Sequence, residues 1–247
     1  FKDLGLSPEI LEAIEKKGYK TPSDIQAGVI PLLLNGDKDI VGQAQTGTGK
    51  TAAFGLPLLS RCVKWSDHIQ SIILAPTREL AIQVAKEIDS FQTGRDKLKI
   101  TLLYWGQNIR DEVRNLKRGT DIVVGTPGRV IDHLLVKKTL DLSKIDYFIL
   151  DEADEMLNMG FKEEIDDILK DTPEDKSTWL FSATMPQEVR RISKSYMTDP
   201  FELSVGTQNS ANEDIEHQYV ISRPNERYNI LRRFLDYNPD VYGLVFC

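Results

Sequence analysis

The stretch "YFILDEADEML", residues 147–157, runs four apolar or aromatic residues straight into Asp151, Glu152, Asp154 and Glu155. Tyr147–Leu150 reads as a short buried strand, and so many carboxylates at its end call for a partner. Six further runs share the β-rich character: 39–43 "DIVGQ", 71–76 "SIILAP", 99–105 "KITLLYW", 121–126 "DIVVGT", 178–184 "TWLFSAT" and 201–205 "FELSV". Amphipathic stretches lie between them. In "TRELAIQVAKEIDSF" (77–91) Leu80, Val84 and Ile88 share one helical face, and in "KEEIDDILKD" (162–171) Ile165, Ile168 and Leu169 come together. Continuous apolar strands alternating with helices predict a doubly wound α/β domain whose mostly parallel sheet is covered on both faces. Ligands of such sheets bind beyond the carboxyl ends of the strands, so the residues directly after each strand are the ones to read.

After the first strand comes "AQTGTGKT" (44–51), a near match to GxxxxGK[ST] with Ala44 in the first glycine position. Gly47 and Gly49 allow Gln45, Thr46 and Thr48 to turn their N–H groups inward around an anion, and the following helix N-terminus adds positive potential. Lys50 reaches the β and γ phosphates, and the Thr51 hydroxyl is a ligand for Mg²⁺. The plain alternative is a glycine-rich turn that happens to carry a lysine. The carboxylates now have a purpose. Mg²⁺ on a nucleoside triphosphate takes hard oxygen ligands, often through water, and Asp151 supplies one. Glu152 beside it can orient the attacking water as a general base. Asp154 and Glu155 also suit the start of a helix, where carboxylates favour the dipole.

The chain has 247 residues, enough for one or two domains at about 150 residues each, and its 40% hydrophobic and 28% charged content is that of a soluble globular protein. A net charge of −7 excludes a uniformly basic coat for nucleic acid but leaves room for a local basic surface. No apolar run approaches the roughly 20 residues that span a bilayer, so no membrane is expected, and the start lacks a secretory signal and an initiator Met. Cys62 and Cys247 are the only cysteines, which predicts neither zinc nor disulfide and a reducing, cytoplasmic location. His68, His133 and His217 lack ligand spacing. Residues 1–205 form the main domain on this reading, and 206–216 is a polar linker. The remainder, 217–247, holds a strand "HQYVIS", a helix "RYNILRRFLDY" and a strand "YGLVFC". About 30 residues cannot enclose their own core, so this reads as the opening of a second domain.

With loop and acidic tip in place, the sequence resembles the DEAD-box ATP-dependent RNA helicases, whose naming motif is Asp151-Glu152-Ala153-Asp154. "GYKTPSDIQ" (18–26) resembles the family's Q motif, with Phe1 upstream where the family has an isolated aromatic. "PTREL" (76–80), "TPGR" (126–129) and "SAT" (182–184) follow in the family's order, and the closing "LVFC" resembles the start of the second domain's first motif. The context "DEADEMLNMGF" is most similar to bacterial members, the cold-shock type included.

The resemblance implies a RecA-like P-loop fold, ATP with Mg²⁺, and RNA as partner. It puts Phe1, Lys20 and Gln26 at the nucleotide with residues 44–51. The Gln26 amide carries a donor and an acceptor that suit the Hoogsteen edge of adenine, and Phe1 can stack on the base. Lys50, Asp151 and Glu152 are the catalytic set. Ser182 and Thr184 would bond Asp154 and couple the nucleotide site to the domain, or cap the helix after Pro186. Pro76, Thr77, Arg78, Gly106, Thr126, Pro127, Gly128 and Arg129 would contact the RNA backbone, largely without regard to sequence. Trp105-Gly106 departs from the family's paired glycines. Trp105 either alters the backbone approach or stacks on a base, and a strand-end Trp more often packs into the core. Arg110, Arg114, Lys117 and Arg118 read as a solvated face, as does "RRISK" (190–194). The family's arginine finger lies in its second domain. The chain alone is therefore expected to be a monomer that binds nucleotide weakly, binds RNA poorly and hydrolyses little ATP. An ATP-gated RNA clamp would use the same residues. A DNA-directed motor and a non-enzymatic nucleotide-binding module are the other readings.

Overall fold

Strand formation follows the apolar runs closely, because each run is long enough to cross a sheet and is stopped by a residue that cannot extend it. Pro76 and Pro127 lack the N–H a ladder needs, and turns containing Gly47 and Gly106 follow two of the other runs. The computed structural model describes residues 1–36, 38–94, 96–206 and 218–245. In chain order it contains α1 (Pro8–Lys16), α2 (Asp24–Asn35), β1 (Ile40–Gln43), α3 (Lys50–Arg61), β2 (Ser71–Leu74), α4 (Arg78–Ser90), β3 (Ile100–Leu103), α5 (Ile109–Lys117), β4 (Ile122–Gly125) and α6 (Pro127–Ile131). There follow β5 (Tyr147–Leu150), α7 (Ala153–Asn158), α8 (Lys162–Lys170), β6 (Ser177–Ser182), α9 (Gln187–Tyr196), β7 (Phe201–Ser204) and α10 (Arg227–Tyr237). Most strands are shorter than the sequence patterns at one or both ends, and β6 begins one residue earlier than expected, at Ser177.

The seven strands form one sheet in the order β3-β4-β2-β5-β6-β1-β7, and every neighbouring pair is parallel. Alternation along each strand feeds two cores. Ile40, Ile73, Ile149, Trp179 and Phe181 pack with Val29 and Leu33 of α2, Phe54 and Leu58 of α3 and Val84 and Ile88 of α4. Their sequence neighbours Val41, Ile72, Leu74, Phe148, Leu150 and Leu180 pack on the other face with Val130, Met156, Ile165, Ile168, Val189 and Ile192. Both faces are covered, as a fully parallel sheet requires. All strand tips therefore lie along one edge. β6 alone separates β1 from β5, so their tips stand two strand spacings apart, about 10 Å.

Asp39, just before β1, is buried and joins three segments. Its Oδ1 accepts from the Thr178 N–H of β6 at 2.6 Å, and its Oδ2 accepts from the Thr198 N–H ahead of β7 at 2.6 Å.

The chain divides into two units, Phe1–Asn209 and Ser210–Cys247. In the second, the expected helix 227–237 is present as α10, preceded by a 3-10 turn at Pro224–Glu226. The expected strands are not: residues 218–222 and 242–245 carry no strand, and none of the described residues of this unit is buried. A strand exists only by pairing with a neighbour, and the described residues of this unit offer none. Within the linker expected at 206–216 only Gly206 is described; His217, Phe246 and Cys247 also lie outside the described residues.

Replacing Asp39 by Ala leaves two backbone donors without their acceptor. Each buried unpaired donor costs about 1–3 kcal/mol, so urea unfolding of Asp39→Ala should show a loss of roughly 2–5 kcal/mol; a change near zero would mean water replaces the carboxylate.

Candidate functional site

The loop after β1 is held by its own chain. Gly47 and Gly49 adopt left-handed backbones, with φ of 84° and 85°, the conformation glycine alone enters at no steric cost. Thr48 Oγ1 donates to Gln45 O at 2.7 Å, and Ser23 Oγ donates to Thr48 O at 2.7 Å. Gln26 is buried at the first turn of α2. Its Oε1 accepts from Ser23 N at 3.0 Å and its Nε2 donates to Gly49 O at 3.1 Å. A Cβ at Gly49 would stand 2.3 Å from Gln26 Nε2. Lys50 opens α3; it is buried, and its Nζ donates to Ala44 O at 2.8 Å across the loop. Thr46 and Gly47 are exposed at the loop's crest and Gln45 and Thr51 are half-buried.

The acidic tip of β5 faces this loop. Asp151 is buried, and its Oδ1 has no hydrogen-bond partner. Burial pushes its carboxyl up to about 7; the Lys50 ammonium opposes the rise and the Glu152 carboxylate adds to it. Lys50 and Asp151 thus follow strands β1 and β5 onto the same edge of the sheet. Glu152 caps α7 from a left-handed backbone, φ 55° and ψ 52°, a conformation that costs a non-glycine residue about 1–2 kcal/mol. The adjoining Asp154 is buried. Its Oδ2 accepts from Thr184 N at 2.8 Å and Thr184 Oγ1 at 2.7 Å. The fully buried Ser182 receives Asp154 N on its Oγ at 3.2 Å and donates to Thr184 O at 2.7 Å. Burial raises the Asp154 carboxyl, but the bonds from Thr184 and Ser182 outweigh it and hold the group below the ordinary carboxylate range. α9 carries no side-chain cap, so these hydroxyls serve Asp154 rather than the following helix. The same tip is tied to β1, since Ala44 N donates to Ser182 O at 3.0 Å and Gln43 Nε2 to Ala183 O at 3.3 Å.

Phe1 is half-buried, with its ring stacked on Tyr19 at 6.2 Å between centroids. With the exposed Lys20 and with Gly18, both rings line a cleft of about 820 Å³.

The tips of β2, β3 and β4 bring the remaining motifs together. Pro76 is buried and Thr77 caps α4, accepting from Leu80 N at 3.3 Å. Arg78 is exposed, with its guanidinium 5.5 Å from the Tyr104 ring and its Nε 3.6 Å from Glu79. Gly106 has φ 101°, and a Cβ there would meet Arg78 Nη1 at 3.3 Å. Thr126 and Pro127, at the start of α6, are buried; Gly128 lies against the Trp105 indole, where a Cβ would stand 3.5 Å from Nε1.

Two expectations are corrected here. Arg129 does not face outward to a phosphate. It is 4% exposed, and its Nε and Nη2 donate to Glu112 Oε2 at 3.0 and 2.5 Å while Nη1 donates to Asp132 at 3.0 Å. Nor does Trp105 pack into the core: it is 59% exposed and lies over Arg129. Glu112 is the residue that the sequence reading missed. Fully buried, it also meets His133 Nε2 at 3.1 Å and accepts from Tyr104 N at 3.4 Å. Burial opposes its ionisation, but His133 and Arg129 outweigh that and hold its carboxyl below the ordinary value.

Comparisons agree with this layout. Residues 23–192 match the DEAD/DEAH box helicase family. The chain is 49% identical over its whole length to a probable ATP-dependent RNA helicase of Methanocaldococcus jannaschii, covering 65% of that protein. It is 46% identical to the DEAD-box ATP-dependent RNA helicase CshA of Bacillus cereus, covering 46% of it. The crystal structure of a DEAD box protein from Methanococcus jannaschii superposes with a TM-score of 0.79 at 49% identity, over all of this chain and 66% of that one. A hypothetical ATP-dependent RNA helicase from Sulfolobus tokodaii gives 0.74 at 38% identity, over 81% of this chain and 57% of that one. The chain thus spans about half to two thirds of the length of these relatives.

Two outcomes follow from the loop and the tip. Gly49→Ala forces a Cβ against Gln26 on a left-handed backbone, so it should lower the melting temperature and weaken ATP binding at least tenfold, read by calorimetry. The second concerns pH. A carboxyl whose folded value is raised to about 7, against about 3.9 unfolded, contributes stability that is complete below pH 4 and lost as pH rises through 7. Asp151→Asn has no proton to lose. Between pH 4 and pH 8 the nucleotide-free variant should gain steadily in melting temperature over the parent chain, whereas a constant gap would show that Asp151 ionises freely.

Proposed function

This chain belongs to the DEAD/DEAH box helicase family, and from that premise we propose that it is the ATP-binding, RNA-facing lobe of an ATP-dependent RNA helicase. One observation carries the reading: a buried carboxylate oxygen of Asp151 has no partner of its own and sits in the field of the phosphate-loop lysine. An orphaned buried carboxylate is costly unless a ligand completes it.

In this reading Lys50 leaves the Ala44 carbonyl to meet the triphosphate, whose oxygens are better acceptors than a peptide carbonyl. The N–H groups of 45–51 close around the phosphates. Gln26 spends one donor on the loop at Gly49 O and one acceptor on Ser23 N of its own helix cap, and keeps a second of each, the pair that adenine's Hoogsteen edge requires. Phe1 and Lys20 flank the base. Thr51 and Asp151 are the residues that would hold Mg²⁺; Asp151 fits because its unpartnered oxygen is a hard donor that becomes anionic once the carboxyl gives up its proton. When bound, the ion supplies positive charge to the phosphate oxygens. Glu152 orients the attacking water and accepts its proton. Asp154, through Thr184 and Ser182, ties that event to the β6 tip. RNA lies across the tips of β2, β3 and β4 on Thr77, Arg78, Gly106, Thr126 and Gly128, which meet its phosphates and 2′-hydroxyls.

The resemblance puts the arginine finger in a second lobe, so the chain alone should bind ATP weakly and turn it over slowly. We place the protein in the cytoplasm as a monomer, in keeping with its buried Cys62. No helix among the described residues is long and apolar enough to cross a membrane.

In a protein extended to the length of its relatives, Lys50→Ala should weaken ATP binding at least tenfold. Glu152→Gln should leave binding within about threefold and lower turnover at least a hundredfold. RNA should stimulate the ATPase, and DNA of equal sequence should not. Equal stimulation would mark a DNA motor, and RNA-stimulated turnover without strand displacement would mark a clamp.

A further inference from the structure

Trp105 stands at the end of β3 with most of its ring in solvent. Its support is unusual for an exposed side chain. The Arg129 guanidinium lies 4.6 Å from the ring centroid, and this arginine is itself buried and held by two carboxylates. Glu112 fixes both sides of the arrangement, because it binds Arg129 with one oxygen and accepts from the backbone N–H of Tyr104, the residue before Trp105, with the other. His133, against the same Glu112 oxygen, is in turn held by Thr139 at 2.7 Å. The indole is thus set on a rigid, buried, charged foundation. A planar cation beneath an indole supports one face of it and leaves other surface of the ring open. Trp65 is more exposed still, at 79%, but no cation is found over its ring among the described residues.

The groups around Trp105 are those that bind a nucleic-acid backbone. Gly106 and Gly128 bring bare main chain beside the ring, and Arg78 projects from the neighbouring tip next to Gly106. A protein partner would want further apolar surface around such a tryptophan; here its neighbours are glycines and an arginine.

We propose that Trp105 is a nucleobase-stacking platform: an unpaired base of single-stranded RNA lies on the exposed part of the indole while Arg78 and the glycine loops hold the flanking phosphates. The proposal rests on the RNA reading above and adds to it a contact with a base. Every base has a π-face, so the contact is sequence-tolerant. It selects for unpaired RNA, since both faces of a base inside a duplex are already covered. Arg129 and Glu112 are positioning residues for the ring and do not touch RNA.

The test compares a uridine oligonucleotide with its abasic counterpart of the same length, titrated into the protein with ATP affinity measured alongside as a check on folding. The parent protein should prefer the uridine RNA by about 5- to 100-fold. Trp105→Ala should bind both RNAs with the affinity the parent shows for the abasic one, and Trp105→Phe should keep most of the preference. The proposal is overturned if Trp105→Ala retains the preference, or if it weakens both RNAs equally. A protein extended to the length of its relatives that binds neither oligonucleotide removes the RNA reading itself, and one that binds both alike removes only the stacking platform.

Discussion

The constraint on which the rest of the site depends is that the loop carrying Lys50 and the strand tip carrying Asp151 lie on one edge of the sheet. Both groups are buried, and neither belongs in an apolar interior alone. They come to the same edge because seven parallel strands put every carboxyl end there, and because β6 alone lies between the strands that carry them. An antiparallel β1 or β5 would send one member to the far edge of the sheet. A further strand inserted between them would part the pair by about another 5 Å. The chain order of the strands and the chemistry of the site are therefore one constraint.

The cost of that arrangement is spread over the neighbouring loops. Lys50 satisfies itself on Ala44 O, and Gln26 and Ser23 clamp the loop from α2. Ala44 stands where the general pattern has glycine, yet it is buried with little strain because it continues the ladder, donating to Ser182 O. Glu152 carries the one left-handed non-glycine backbone at the site. Its strain is held by β5 on one side and by α7 on the other. The turn thereby presents Asp151 and Glu152 in succession toward the loop while Asp154 turns back to Thr184.

What could be read beforehand divides along physical lines. Strands and phosphate loop were legible because each depends on local features: an apolar run, a glycine spacing, a lysine at a helix start. Arg129 was misjudged for a different reason. A charged side chain after a strand reads as exposed unless its partner is known, and its partner Glu112 is seventeen residues away on another helix. A signal was present: in α5, Glu112 falls at helical spacing with the apolar residues Ile109, Val113 and Leu116. A carboxylate on an apolar stripe needs a buried cation. Asp39 announced itself less, since its partners are backbone N–H groups that no side-chain pattern reveals. The strands expected after residue 217 failed on the remaining rule, that a strand has no existence apart from its neighbour.

The sheet divides its labour across its width. The half with β5, β6 and β1 gathers titratable groups left incomplete, an orphaned aspartate oxygen and a lysine bound only to its own loop, which are groups that a ligand can recruit. The half with β3, β4 and β2 pairs its buried charges internally, since Glu112 holds Arg129 and His133, and its strand tips offer main chain, hydroxyls, Arg78 and an indole. A site that must follow the state of a bound triphosphate gains from unsatisfied charge, because each bond to the ligand is a bond the empty protein lacks. A surface that must accept any sequence gains from fixed shape instead, because rigid, pre-formed contacts lose little entropy on binding and need not recognise a base edge. β2 and β5 are neighbours at the boundary between the halves. On the proposed reading Asp154, held by the β6 tip through Thr184, is the buried charge through which a change at the acidic tip reaches the frame of the sheet.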